Sequence, residues 1–262
     1  MIKEMTFDER SYILALISDS AYLAPKKASS IFKKIGFNPS NVSFFDSHGS
    51  QAYVLHNDND IVIVCRGTQP TEFRDIKADL KVKMVKPIIG PGKVHRGFQD
   101  SVVALWEDIS NHLREIYNRQ QNIWCTGHSL GAAMTVIMAN VLQCDETLPN
   151  VEAVYTYGCP KPGNAEYVNA FTFAHHRWVN SADIVTRVPP WPYKHKGTLH
   201  YMNHWGNVRD MSTIQMIKDR FRGFIKGLKM KNINYFANHS ISRYTENLRT
   251  NAKKLERQQT TI

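Results

Sequence analysis

Cysteine is scarce in this chain of 262 residues: four in all, at positions 65, 125, 144 and 159. None forms a Cys-x-x-Cys pair, which excludes the usual zinc spacings and a disulfide framework. Cys65, Cys125 and Cys159 lie in or just after apolar, strand-like runs and read as small buried hydrophobes. Long apolar runs are absent too. The strictly apolar stretches are only a few residues long, as in Ile61–Cys65, far short of the roughly 20 residues a membrane-spanning helix needs. No repeat or low-complexity tract is visible, and no linker divides the chain. The N-terminus carries acids before its first apolar run and no small-residue cleavage site after it, so a Sec signal peptide is not expected. Two glycosylation sequons, Asn41-Val42-Ser43 and Asn238-His239-Ser240, point the same way. The expected setting is the cytoplasm, or export by a signal-independent route.

What is present is ordinary globular material, 42% hydrophobic and 21% charged. Lysine and arginine number 33 against 23 acids, a net charge of +10. The excess is uneven: residues 209–262 hold twelve of the basic residues and four acids. Such a block suits an anionic partner, a membrane or lipid-droplet surface before nucleic acid, or simply a solvated face. No helix-turn-helix and no aromatic-interleaved basic motif supports nucleic-acid binding.

Thr6 and Glu9 fit a capping box, with Ile13, Leu16 and Ile17 following at helical spacing. Gln51–Leu55 and Ile61–Arg66 read as strands. Val94–Gln120 reads mostly as a helix, Asn122–Thr126 as a strand and Leu130–Gln143 as a helix. Val151–Tyr157, His176–Asn180 and Thr198–Tyr201 read as further strands; Met211–Met230 and Ser240–Leu255 read as helices. Strands alternating with helices predict an α/β fold, a central mostly parallel sheet with helices on both faces.

The sharpest motif is Gly127-His128-Ser129-Leu130-Gly131, between a predicted strand and a predicted helix. Gly-x-Ser-x-Gly in that context is a nucleophile elbow: the chain turns so tightly that the serine projects outward and its flanks accept only small residues. The competing reading is a helix N-cap serine in a glycine-rich turn. A serine nucleophile needs a base, and the base an orienting acid, in the chain order Ser, acid, His. The candidate acids after Ser129 are Asp145, Glu146, Glu152, Glu166, Asp183, Asp210 and Asp219. Asp145 and Glu146 fall at the far end of the nucleophile's own helix. Asp183 follows a strand's carboxyl end, where open α/β sheets place their sites. His175 and His176 precede Asp183, which leaves His195, His200, His204 and His239. His239, in a loop, leads His200 by a small margin on these grounds.

The chain resembles the class 3 lipases, the fungal-type branch of the α/β-hydrolases. Cys65-Arg66-Gly67-Thr68 resembles the family's oxyanion turn, with cysteine where an aromatic is more usual. Val94-His95-Arg96-Gly97-Phe98 resembles its His-x-Gly-Phe block. The stretches Thr126–Ala132, Val179–Pro189 and Asn238–Tyr244 resemble the segments bearing its nucleophile, acid and histidine. The resemblance implies a single α/β-hydrolase domain over 1–262, with Ser129 as nucleophile, Asp183 as acid and His239 as base. It implies Thr68 and the Leu130 N–H as the oxyanion hole, and a structural role for His200. No metal or cofactor is implied. The expected function is hydrolysis of carboxylic esters of lipids, as a triacylglycerol lipase or esterase. A phospholipase A1 or small-ester esterase on the same triad is the alternative, and an inactive lipid-binding module the alternative of another class.

Three further segments invite a role. Phe73, Ile76 and Leu80 form one stripe on 71–80, a lid helix or a packed surface helix. Residues 206–238 form a basic helical insertion, longer than in the compact fungal members. Its Ile214, Ile217, Phe221, Phe224 and Leu228 either pack on the core or lie in a headgroup interface, the first being the commoner arrangement. Trp191, in Pro189-Pro190-Trp191-Pro192, either walls the acyl pocket or packs. Residues from about 256 are expected to fray.

Overall fold

In a strand flanked by helices on both sides, both faces are apolar and alternation disappears. The run Asp60-Ile61-Val62-Ile63-Val64-Cys65 is such a strand and is buried at every position. The computed structural model describes residues 1–67, 83–229 and 237–259. Its main sheet has seven strands: β1 (Val42–Ser47), β2 (Ser50–His56), β3 (Asp60–Cys65), β4 (Asn122–His128), β5 (Val151–Tyr157), β6 (Ala174–Asn180) and β7 (Thr198–Met202). Their spatial order follows the sequence. β1, β2 and β3 form an antiparallel meander, and β3 through β7 run parallel.

Among the described residues the α-helices are α1 (Phe7–Ser20), α2 (Pro25–Lys34), α3 (Arg96–Ile116), α4 (Leu130–Leu142), α5 (Ala165–Asn169), α6 (Thr213–Lys229) and α7 (Ile241–Gln259). Successive strand residues feed opposite cores. Ile61, Ile63, Cys65, Ile123 and Cys125 pack under α3 and α4. Val62, Val64, Trp124, Tyr155 and Trp178 pack with Leu14, Ile17, Phe32, Tyr244 and Leu248 from α1, α2 and α7. Among the described residues, no helix is long and apolar enough to cross a membrane.

The Thr6–Glu9 capping box is present and starts α1. The buried face of α1 is Leu14 and Ile17 with Ser11 and Ser18, while Ile13 and Leu16 are only half-buried. The long helix expected from Val94 begins at Arg96. Val94 and His95 instead form one of four two-residue strands in a small antiparallel sheet, with Met84–Val85, Gly163–Asn164 and Tyr193–Lys194. His95 is the N-cap of α3: its Nδ1 accepts the Phe98 N–H (3.3 Å) and its ring stacks on Phe98. That explains the local need for the His-x-Gly-Phe spacing.

The insertion reverses the commoner expectation for its stripe. Ile214, Ile217 and Phe221 are exposed, because α6 docks through the opposite side, where Asp219 is buried. The side chains of Phe224 and Leu228 lie outside the described residues, as does the whole of 71–80. α7 carries on to Gln259, into the stretch expected to fray.

Asp60 fastens the N-terminal segment to the middle of the sheet. Its fully buried carboxylate accepts the Ile2 N–H and the Trp124 indole N–H, both at 2.9 Å. Asp60→Ala strands two buried donors, each worth about 1–3 kcal/mol when left unpaired. Urea denaturation is expected to show a loss on the order of 3 kcal/mol, against under about 0.5 for the exposed Asp58→Ala.

Candidate active site

β4 ends at His128 and α4 begins at Leu130, so Ser129 alone makes the turn. Its backbone sits at φ 58°, ψ −130°, a conformation that residues with a side chain rarely adopt. Two close approaches hold it there. A side chain at Gly131 would run into the Cys65 carbonyl oxygen, and one at Gly127 would sit 2.6 Å from Thr135 Oγ1. The Ser129 N–H donates to the Tyr157 carbonyl of β5 at 3.0 Å. Its hydroxyl makes no capping bond to α4, which removes the N-cap reading.

That hydroxyl faces His239. Ser129 Oγ lies 2.7 Å from His239 Nε2, and His239 Nδ1 lies 2.9 and 3.1 Å from the two oxygens of Asp183. The carboxylate only accepts, so Nδ1 carries the proton and Nε2 is free to take the serine's. All three groups are buried: Ser129 and Asp183 are each 1% exposed and His239 5%. Asp183 sits three residues past the end of β6. His239 ends a short 3-10 turn, Ala237–His239, ahead of α7.

A further layer of residues fixes these three. The Tyr244 hydroxyl donates to Asp183 Oδ2 at 2.6 Å and accepts the Asn180 N–H at 3.0 Å. Burial, then the neighbouring Asp183 charge, push the Tyr244 phenol well above its ordinary value, so it stays a donor. The Val185 N–H donates to Asp183 Oδ1. His128 is held neutral, its pKa well below the usual imidazole range through burial and then the adjacent His239. Its Nε2–H donates to the His239 carbonyl at 2.6 Å, which leaves Nδ1 to accept the Tyr22 hydroxyl at 2.9 Å. Tyr244, His128 and Tyr22 were not picked out in the sequence. The one signal was a buried-type aromatic within the same segment as His239.

The competing candidates are engaged elsewhere. Asp145 pairs with Arg114 at 2.6 Å. His195 donates to the Thr186 carbonyl, His200 meets His176 and stacks on Trp178, and His204 binds Asp219. Cys65 is buried, which pushes its thiol up to about 12. Trp191 is 82% exposed and does not pack. Leu130 opens α4 directly behind Ser129, where helix N–H groups lack intrahelical acceptors. Thr68 lies outside the described residues.

Tyr244→Phe deletes one of three donors to a buried carboxylate, an interaction of about 1.5–3 kcal/mol. With a soluble p-nitrophenyl ester, kcat is expected to fall about tenfold with little change in KM. The melting temperature is expected to fall by several degrees in the same variant.

The family Lipase (class 3) matches residues 62–193, half of the chain. The Vibrio cholerae toxin TseL is 28% identical over 184 residues, 55% of this chain and 28% of that protein. The Fusarium solani secreted mono- and diacylglycerol lipase 1 is 28% identical over 168 residues, 59% of this chain and 48% of that protein. The chain thus spans less than half the length of these curated relatives. Among solved structures, the Rhizomucor miehei triacylglyceride lipase superposes with a TM-score of 0.61 at 24% identity, over 76% of this chain and 82% of that one. MDLA from Penicillium cyclopium gives 0.64 at 20% identity, over 81% and 86%. These structures share the α/β-hydrolase fold seen here. On the match to its central half, the chain belongs to the class 3 lipase family.

Proposed function

We propose that the protein hydrolyses carboxylic esters of lipids through an acyl-enzyme on Ser129. The observation that carries this reading is the 2.7 Å contact of Ser129 Oγ with a histidine whose other nitrogen is held by a buried carboxylate. His239 Nε2 takes the hydroxyl proton as Oγ attacks the ester carbonyl. The resulting imidazolium is stabilised by Asp183 and then protonates the departing alcohol. Water, deprotonated by the same nitrogen, attacks the acyl-serine; its hydroxyl ends on the fatty acid and the proton returns to Ser129. No step calls for a metal or a cofactor.

The negative oxygen that develops at the carbonyl needs preorganised donors, each worth about 10²–10³ in turnover. The Leu130 N–H, at a helix N-terminus beside the nucleophile, suits that role, and Thr68 is the proposed second donor. The lipid nature of the ester is supported by the family and by relatives described as acylglycerol lipases. A rice phospholipase A1-II 1, 28% identical over 53% of this chain, supports phospholipid as the second substrate to try. The substrate would be met at a lipid surface, and the basic excess toward the C-terminus favours an anionic one. Asn238 turns its side-chain oxygen to Arg243 beside the base. A glycan there would crowd the site, which favours action away from N-glycosylating compartments.

A fluorophosphonate probe is expected to label the wild-type chain and not Ser129→Ala. An inactive lipid-binding module would leave both unlabelled. On p-nitrophenyl esters, Ser129→Ala is expected to lose about 10⁶ in kcat and Asp183→Asn about 10⁴. A panel of p-nitrophenyl chain lengths and phosphatidylcholine then separates lipase, esterase and phospholipase A1 behaviour.

A further inference from the structure

α6 is built inside out for a soluble protein. At about 100° per residue, Ile214, Ile217 and Phe221 lie about 160–220° around the helix from Asp219. They are 67%, 58% and 64% exposed. The side facing the protein is polar and specific. Asp219 accepts the Tyr201 hydroxyl at 2.9 Å, the Ser181 hydroxyl at 3.1 Å and the His204 N–H at 3.0 Å, and it pairs with the His204 ring. Arg220 donates to the Ser181 carbonyl and lies over the Tyr201 ring. A side chain at Gly223, one turn on, would press on His204 at 3.3 Å. The rotation of the helix about its axis is therefore set by one buried carboxylate, and that setting turns the apolar stripe to solvent.

Charge selects what the stripe meets. Asp219, the only acid in α6, faces inward, while Lys218 and Arg222 are exposed on one flank of the stripe, about 40° and 80° beyond Ile214. Large apolar side chains bordered by cations match an acyl–headgroup boundary of negative charge, the arrangement of a helix lying in a membrane interface. We propose that α6 docks the protein on an anionic phospholipid surface, with Ile214, Ile217 and Phe221 in the acyl boundary and Lys218 and Arg222 at the headgroups. The proposal rests on the lipid-ester reading for its choice of a lipid surface. It goes further in naming the element, the face and the sign of charge. Because Ser181 lies two residues before Asp183, the docking helix is also tied to the loop that carries the catalytic acid.

The test is co-sedimentation of the full chain, carrying Ser129→Ala so that no hydrolysis alters the lipid. Phosphatidylcholine vesicles are used with and without phosphatidylserine. The parent is expected to sediment with the phosphatidylserine vesicles and weakly with the neutral ones. Lys218→Gln with Arg222→Gln is expected to weaken binding roughly 10–30-fold, and Ile217→Ser with Phe221→Ser on the order of 30-fold. Made in the active chain, both pairs are expected to keep wild-type turnover of p-nitrophenyl butyrate, which shows that the fold and triad are intact. Equal binding to both vesicle types, or variants that sediment like the parent, would overturn the proposal. So would an apolar variant that converts a dimer to a monomer in a parent that ignores vesicles, since the stripe would then seat on a second copy. Failure of the ester-hydrolase reading looks different: no phosphonate labelling and no ester turnover, with vesicle binding retained.

Discussion

The Asp183 carboxylate is a charge taken out of water, with 1% of its residue surface exposed. Burying a carboxylate is costly unless its oxygens accept hydrogen bonds. Here the donors come from two stretches of chain: the Val185 amide just after it, and the His239 imidazole and Tyr244 hydroxyl of one later segment. The same demand therefore closes the loop after β6, fixes the 3-10 turn at 237–239 and seats the first turns of α7. The geometry of the base toward Ser129 is a by-product of satisfying that carboxylate. Catalytic alignment and local folding are one requirement.

The two faces of the sheet are held differently. Under α3 and α4 the packing is dominated by apolar side chains, α4 buries nearly every residue it has, and the hydrogen bonds to the sheet include Thr135 to the Thr126 carbonyl and Ser43 with His112. On the other face, α1 adds directional bonds to its packing. Ser18 meets Thr126 at 2.9 Å, Tyr157 donates to the Ser11 carbonyl at 2.6 Å, and Tyr22, just past the helix, reaches His128. Apolar packing tolerates sliding by fractions of an ångström; hydrogen bonds to fixed strand positions do not. The face that borders His128 and His239 thus joins apolar packing to several bonds that fix α1 against the strands.

How much of this was legible in the sequence depended on how locally each feature is determined. The elbow was readable because its residues and its strand-to-helix setting lie within a few positions of one another, although part of the crowding that keeps Gly131 small comes from the distant Cys65 carbonyl. Val151–Tyr157 was readable to the residue because a buried run between turns has few alternatives. β1 was missed: Val42-Ser43-Phe44-Phe45-Asp46-Ser47 does not alternate, yet Phe44 and Phe45 serve opposite cores. Choosing His239 over His200 was beyond periodicity, since the answer lies in His200 finding His176 across parallel strands. The orientation of α6 stays open between two arrangements in the sequence for a related reason, and the exposed Ile214, Ile217 and Phe221 go against the commoner one. A stripe shows that a helix has two faces, and what docks is decided by the partners waiting for the other one.

The triad draws on positions 129, 183 and 239, and the strands that precede its first two members, β4 and β6, stand on either side of β5 in a sheet whose order follows the sequence. As the chain leaves the ribosome, each parallel strand can join the one just before it, and the serine at its bend is in place long before an imidazole exists to activate it. A chain ending between residues 203 and 237 holds the serine and all seven strands of the main sheet but lacks the imidazole that faces that serine. The Ser129–His239 contact is thus completed only by the late segment that packs back on α1.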